Sequence, residues 1–384
     1  MAATYVVSLK NNHMDKPIHV TEPFLPPLEE YVDYLKGIWE RRQLTNQGPL
    51  VIKLEQLIQQ SQSLDVPVRL VANGGLGLQI ILKAMGIKGE VITTPFSYVA
   101  TTSCPAWEGC AIRFADIEPE FLTLDPAAVE ATITPSTEAI LATHSYGNPC
   151  DCEGLEKVAR KHGLALIYDA AHAYGVRYRG ESILSYGDAS MVSLHATKLF
   201  HSVEGGFVVC QDSAVAEKVE WMRRFGHDGQ EAYHGVGINA KMSELHAAMG
   251  LCVLPYFDEI MRHRQAVCDA YHNGIKDLAG VRFGMTLRDS TQWNTSYFPV
   301  RFESEALLLA TVDKLEKTGI FPRRYFHPAL HEIGLIGTPA SPCPVASRSS
   351  RELLCLPLSA QTSQADIERV LDVIRYADKP PAIN

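Results

Sequence analysis

From Val68 onward, short apolar, β-branched runs alternate with stretches whose apolar residues recur at i, i+3 and i+4. The strand-like runs are Val68–Ala72, Glu90–Thr94, Ala111–Ala115, Ala139–Thr143, Leu164–Tyr168, Ala189–Leu194 and Phe207–Cys210. Between them lie the helix-like stretches Leu76–Met85, Ala127–Ile133 and Leu155–His162. This alternation predicts βαβ units and an α/β fold with a mostly parallel sheet covered on both faces. Such sheets bind ligands beyond the carboxyl ends of their strands, so chemistry is expected just after the strands.

The rest of the chain has a different rhythm. Ser243–Arg264 carries an apolar face over its whole length and predicts one long helix. A strand at Ser296–Phe302, a helix at Glu305–Thr318 and a final helix around Gln364–Ala377 follow. Pro and Ser concentrate at Gly337–Ser350, which predicts an exposed loop. We read 1–17 as an N-terminal arm, 18–250 as a large domain and 251–384 as a smaller α+β C-terminal domain. The boundary then falls inside the long helix.

Composition narrows the function. With 46% hydrophobic and 21% charged residues, the chain is an ordinary globular protein with ample material for a core. A formal net charge of −9 disfavours a nucleic-acid surface, but leaves room for a small anion held locally by backbone amides. No apolar run is long enough to span a membrane, and Met1–Pro17 lacks an apolar signal core, so a cytoplasmic protein is expected. Nine cysteines with no zinc-finger spacing predict reduced thiols and no metal site.

Four features follow predicted strands. Asn73-Gly74-Gly75-Leu76-Gly77 sits between a strand and a helix, where glycines let backbone amides approach a phosphate. It matches neither a dinucleotide fingerprint nor a P-loop, and by itself reads equally as a turn. Asp169 ends an apolar strand; a carboxylate buried there needs a cationic partner, unless it merely caps the next segment. Lys198 closes the next strand region, where it is either a surface lysine or an amine whose proton is easily lost. Glu204-Gly205-Gly206 is a tight turn back into a strand. Together, a phosphate cradle, an acid and a lysine on neighbouring strand ends suit pyridoxal phosphate. Its phosphate needs a helix N-terminus, its aldehyde a lysine and its pyridine nitrogen a carboxylate.

At these positions the chain resembles the nucleotide-sugar aminotransferases of the DegT/StrS type, which are fold type I pyridoxal phosphate enzymes. The resemblance runs from about residue 18 onward. It is carried by Leu44-Thr45-Asn46-Gln47-Gly48-Pro49, Glu90-Val91-Ile92-Thr93-Thr94-Pro95-Phe96 and His144-Ser145-Tyr146-Gly147-Asn148-Pro149. It continues through Tyr168-Asp169-Ala170-Ala171-His172-Ala173, His195-Ala196-Thr197-Lys198 and Gly237-Ile238-Asn239-Ala240-Lys241-Met242-Ser243-Glu244-Leu245.

The resemblance implies that Lys198 binds the cofactor aldehyde and moves protons, and that Asp169 pairs with the pyridine nitrogen. It implies His172 near the ring's phenolic oxygen, Phe96 on the ring face, and Gly74, Gly75 and Ser193 at the phosphate. Asn239 would reach the phosphate from a partner subunit, in a homodimer with shared active sites. The alternative for Phe96 is core packing, and for His172 a satisfied core histidine. One departure is Gly75, where the family usually has a hydroxyl residue; another is Leu194, where it has Phe.

The implied reaction moves an amino group from L-glutamate to a nucleotide-linked keto-sugar. Thr21–Tyr31 and Phe321–Pro328 resemble enzymes that aminate carbon 4 of dTDP-4-dehydro-6-deoxy-D-glucose for surface polysaccharide. Arg324, Tyr325 and His327 become candidate substrate contacts. Amination at carbon 3, or of a UDP- or GDP-linked sugar, stays open. A non-catalytic regulator on the same scaffold is the reading from another class; the presence of both Asp169 and Lys198 argues against it.

Overall fold

The computed structural model describes residues 16–334, 338–339 and 342–375. The first fifteen residues of the expected arm lie outside the described residues, as do the last two of the expected final helix.

Seven strands match the predicted runs: β1 (Val68–Val71), β2 (Glu90–Thr93), β3 (Ala111–Phe114), β4 (Thr137–Thr143), β5 (Ala165–Asp169), β6 (Ala189–Ser193) and β7 (Gly206–Cys210). Three later strands, β8 (Val281–Phe283), β9 (Phe298–Phe302) and β11 (Leu353–Leu356), form a separate antiparallel sheet in the order β8-β9-β11. A further short strand, β10 (Thr338–Pro339), joins the large sheet, whose order is β10-β3-β2-β4-β5-β6-β7-β1. From β10 to β6 all pairs are parallel; β7 alone runs against both its neighbours.

Register brings the chemistry to one edge. Thr143 lies opposite Asp169, Asp169 opposite Met191, and Gly206 opposite both Ser193 and Val71. The carboxyl ends of β4, β5, β6 and β1 and the start of β7 therefore share one rim.

The helices are α1 (Leu28–Arg41), α2 (Pro49–Ser61), α3 (Gly74–Met85), α4 (Ala100–Trp107), α5 (Pro126–Thr132) and α6 (Cys152–His162). They continue as α7 (Ser213–Met222), α8 (Glu244–Val253), α9 (Phe257–Ile275), α10 (Glu305–Lys317), α11 (Pro344–Glu352) and α12 (Gln364–Arg375). Apolar clusters fill both faces of the large sheet, and a third cluster lies between the small sheet and α9, α10 and α12.

Two expectations are corrected. The long helix across Ser243–Arg264 is two helices, α8 and α9, separated by the 3-10 turn Leu254–Tyr256. Pro255 has no N–H to continue the ladder and its ring crowds the preceding turn. The expected loop at Gly337–Ser350 contains β10 and most of α11. Pro344 sits in the first turn of α11, where its missing N–H costs nothing. The next two amides, of Val345 and Ala346, donate to the distant Asp116 carboxylate at 2.9 Å each. A cap supplied from 230 residues away leaves no trace in the local pattern.

Helix α2 uses the same device. Glu244 is fully buried, and its carboxylate accepts from the amides of Leu50 at 3.1 Å and Val51 at 2.9 Å. Arg41 lies 3.5 Å away. Negative charge there suits the helix's positive end. Glu244→Ala leaves those amides bare in the interior and should cost roughly 2–4 kcal/mol by urea unfolding. Glu244→Gln, which keeps an acceptor oxygen, should lose less. Equal losses would refute the capping role.

Candidate active site

A cavity of about 360 Å³ opens at the shared rim, lined among others by Gly74, Gly75, Tyr98, Asp169, His172, Ser193, Lys198 and Arg323. Its floor is the sheet edge; its far wall comes from Tyr297, just before β9, and from Arg323, Tyr325 and Phe326.

Asn73 caps α3: its Oδ1 accepts from Leu76 N at 2.9 Å, and its carbonyl accepts from Gly77 N. A helix's first amides have no partner within the helix, so those of Gly74 and Gly75 are left for a ligand. The two glycines differ in their need to be glycine. A Cβ on Gly74 would stand 2.7 Å from the Met191 sulfur, and one on Gly206 only 2.8 Å from the Gly74 nitrogen. A Cβ on Gly75 would meet nothing closer than 3.3 Å. The departure at Gly75 is thus a lost hydroxyl and not a steric demand.

Asp169 is buried, with Oδ2 accepting from Thr101 Oγ1 at 2.7 Å and Oδ1 from Ala171 N at 3.1 Å. Burial raises its pKa above the usual carboxylate range, opposed by those two donors and by the charge of Lys198. Lys198 is carried on the loop after β6. That loop is pinned by Leu194 N to Gly205 O at 2.9 Å, Ser202 N to Leu194 O at 2.9 Å and Lys198 N to His195 O at 2.8 Å. Burial brings the Lys198 pKa down to about 8, while the Asp169 charge pulls it back up.

His172 stacks on Phe326 with ring centroids 5.7 Å apart, and its Nδ1 accepts from Tyr146 N at 3.4 Å. Burial first, and Lys198 second, keeps its pKa well below the ordinary histidine value. With Nδ1 accepting from that amide, a neutral ring carries its proton on Nε2.

Not every expected residue reaches the cavity. Phe96 is fully buried, packed edge-on against Tyr146 at 6.0 Å and Phe326 at 5.4 Å, so the expectation that it covers a ligand ring is corrected. The chain turns at Pro95, with Phe96 N held on Thr94 Oγ1 at 3.0 Å, and sends Phe96 into the core. Tyr98, two residues on and 62% exposed, stands at the cavity wall instead. Arg324 does not line this wall; it lines the adjoining outer cavity, and its guanidinium donates to Glu305 at 2.6 Å. The arginine in the wall is Arg323. Tyr325 does line the cavity, and its carbonyl accepts from the Tyr146 hydroxyl. His327 faces a neighbouring outer cavity. Asn239 is exposed outside the cavity, its Oδ1 accepting from Lys241 Nζ at 2.5 Å.

Sequence reasoning missed Thr101, Tyr98 and Arg323. The first two sit in Tyr98-Val99-Ala100-Thr101-Thr102, just past a strand end, where small hydroxyl residues and an exposed aromatic should have drawn notice.

The geometry fits pyridoxal phosphate. It offers bare amides at a helix start for phosphate, a buried carboxylate for a ring nitrogen and an amine with a depressed pKa for an aldehyde. Comparison with known proteins decides the family: residues 28–375 match the model of the DegT/DnrJ/EryC1/StrS aminotransferase family. The chain belongs to that family.

It is 39% identical over 366 residues to a dTDP-4-amino-4,6-dideoxy-D-glucose transaminase of Shigella dysenteriae, covering 94% of this chain and 99% of the relative. A protein of the same name from Escherichia coli is 33% identical over 368 residues, covering 94% and 98%. The crystal structure of DesI in the presence of its TDP-sugar product superposes with a TM-score of 0.90 at 34% identity, covering 95% of this chain and 94% of that one. This aminotransferase therefore has the fold type I architecture and takes pyridoxal phosphate as cofactor. Its substrates are an amino donor and a keto-sugar carried on a nucleotide. Among the described residues, no helix is long and apolar enough to cross a membrane.

The coupling between Asp169 and Lys198 has a signed consequence. The Asp169 charge raises the Lys198 pKa, so Asp169→Asn should move it further below about 8. In cofactor-free protein, Lys198 should be acylated with a pH midpoint near 8, read by peptide mass spectrometry, and the variant's midpoint should lie lower. A midpoint near that of surface lysines, or an upward shift in the variant, would contradict the coupling.

Proposed function

We propose that this chain transfers an amino group from L-glutamate to carbon 4 of dTDP-4-dehydro-6-deoxy-D-glucose, giving dTDP-4-amino-4,6-dideoxy-D-glucose and 2-oxoglutarate. The observation that carries the reading is the meeting of Lys198 and Asp169 in one cavity of a chain similar over 94% of its length to two transaminases of that name.

Bound in the cavity, pyridoxal phosphate supplies an aldehyde that exchanges the amino group and a ring that takes up electron density. Gly74 and Gly75 would hold its phosphate through backbone amides, with Ser193 beside them. Asp169, kept in place by Thr101, would keep the ring nitrogen protonated. His172 would be a donor for the phenolic oxygen, and Tyr98 would help to enclose the ring. Lys198 takes the proton from the donor's Cα in the first half-reaction and returns one to sugar carbon 4 in the second. An amine near pKa 8 suits both tasks, because it gives and accepts a proton at little cost around neutral pH.

The unit 18–250 carries these groups, and 251–384 closes the cavity through Arg323 and Tyr325. A second copy of the chain would bring its Asn239 to the phosphate. Supporting this, the exposed segment around Asn239 presents Val236 (89% exposed) and Ile238, apolar side chains that gain from a partner.

Adding L-glutamate to the loaded protein should bleach its yellow absorbance. With the keto-sugar present, the product isolated by anion exchange should show a carbon-4 amine with large axial–axial couplings on both sides by proton NMR. Lys198→Ala should slow turnover by roughly a thousandfold or more. An amine at carbon 3 would reject this substrate assignment, and a Lys198→Ala variant with full turnover would reject the mechanism.

A further inference from the structure

The active-site cavity does not end at its own wall. A second cavity of about 440 Å³ adjoins it and shares Ser97, Tyr98, Arg323, Tyr325 and Phe326 with it. These five residues border both cavities, and the neck between the two is this shared border. The inner side holds Lys198; the outer side runs past Arg324 and His327 toward Val312 and Glu316.

The arginines around this neck are committed differently. Arg324 donates to Glu305 at 2.6 Å, and Arg351 pairs with Glu332 at 2.7 Å. Arg323 has no carboxylate within ion-pair distance among the described residues, and its guanidinium lies 5.7 Å from the Tyr325 ring centre. Its backbone is fixed: Arg323 N donates to Cys355 O at 3.2 Å, and Cys355 N donates back to Arg323 O at 2.8 Å. An exposed cation on a braced backbone, facing a cavity and lacking a counter-charge, is disposed to bind an anion.

A nucleotide sugar has three parts in line: the sugar, a diphosphate and a nucleoside. The reacting carbon must reach Lys198 in the inner cavity, which the cofactor also occupies. The nucleoside is then left to the outer cavity, lined by Val312, Pro322, Tyr325 and His327, and the diphosphate falls at the neck. On a chain of net charge −9, an anionic ligand needs a local cation to be held there. The planar guanidinium fork matches phosphate oxygens in a way a lysine ammonium does not.

We infer that Arg323 is the anchor for the diphosphate of the nucleotide-sugar substrate, holding it at the neck so that the sugar alone enters the inner cavity. This rests on the nucleotide-sugar reading above.

The test is calorimetric titration of dTDP into the cofactor-loaded protein and its Arg323→Met and Arg323→Lys variants. The rate of glutamate-dependent bleaching is measured alongside. Arg323→Met should weaken dTDP binding by about tenfold or more, and Arg323→Lys by a smaller factor, because the charge stays while the fork is lost. Bleaching by L-glutamate should fall by a smaller factor than dTDP binding in both, since that half-reaction uses no phosphate. The side chain is exposed, so retained cofactor absorbance will report an intact fold. Should Arg323→Met fail to fold, Arg323→Lys carries the test.

Unchanged dTDP affinity in the variants overturns the inference. So does a loss confined to the glutamate half-reaction, which would assign the guanidinium to the donor's carboxylate. Wild-type protein that binds no nucleoside diphosphate overturns it too. If UDP or GDP binds in place of dTDP with the same dependence on Arg323, the anchor stands and the proposed nucleotide falls.

Discussion

The site depends on keeping a carboxylate charged in the interior. Asp169 is stripped of water at the end of β5, which by itself favours the neutral acid. Three neighbours oppose that: the Thr101 hydroxyl, the Ala171 amide and the lysine across the cavity. A cofactor ring nitrogen carrying a proton would supply the missing counter-charge. The apoprotein is therefore built around an unfavourable group that its cofactor relieves. The same burial that raises the Asp169 pKa lowers that of Lys198, so one dry sheet edge prepares both the anchor and the base.

Holding that edge together is the task of distant residues. The rim is assembled by strand register, with Thr143, Asp169, Ser193 and Gly206 following from pairings across β4, β5, β6 and β7. Steric limits refine it: a Cβ on Gly206 would stand 2.8 Å from the Gly74 nitrogen and one on Gly74 2.7 Å from the Met191 sulfur, whereas one on Gly75 would meet nothing closer than 3.3 Å. Asp116 and Glu244 cap helices far away in sequence and so fix α11 and α2. Neither Asp116 nor Glu244 needs to touch a substrate for the site to depend on it.

Much of the large sheet was legible because its strands are short, β-branched and punctuated by turns. Asp169, Lys198 and the glycine cradle were legible because each follows such a strand. What was not legible has a common cause. Pro255 broke a helix whose apolar face runs on unbroken through the break. The cap on α11 comes from Asp116, a contact no local window contains. Phe96 and Tyr98 are both aromatic and two residues apart, and only the turn at Pro95 decides which one faces the cavity. Arg323 and Arg324 are adjacent and identical in type, and they separate only because Glu305 captures one of them. In each case something outside the hydrophobic pattern, a proline or a distant partner, chooses between options that the pattern leaves equal.

The central claim is that Lys198 is the amine that meets the cofactor. Borohydride reduction of the loaded protein, followed by proteolysis and mass spectrometry, tests it most directly. The account predicts a pyridoxyl group on the peptide carrying Lys198 and on no other peptide. A label on a different lysine, with Lys198 unmodified, would contradict it.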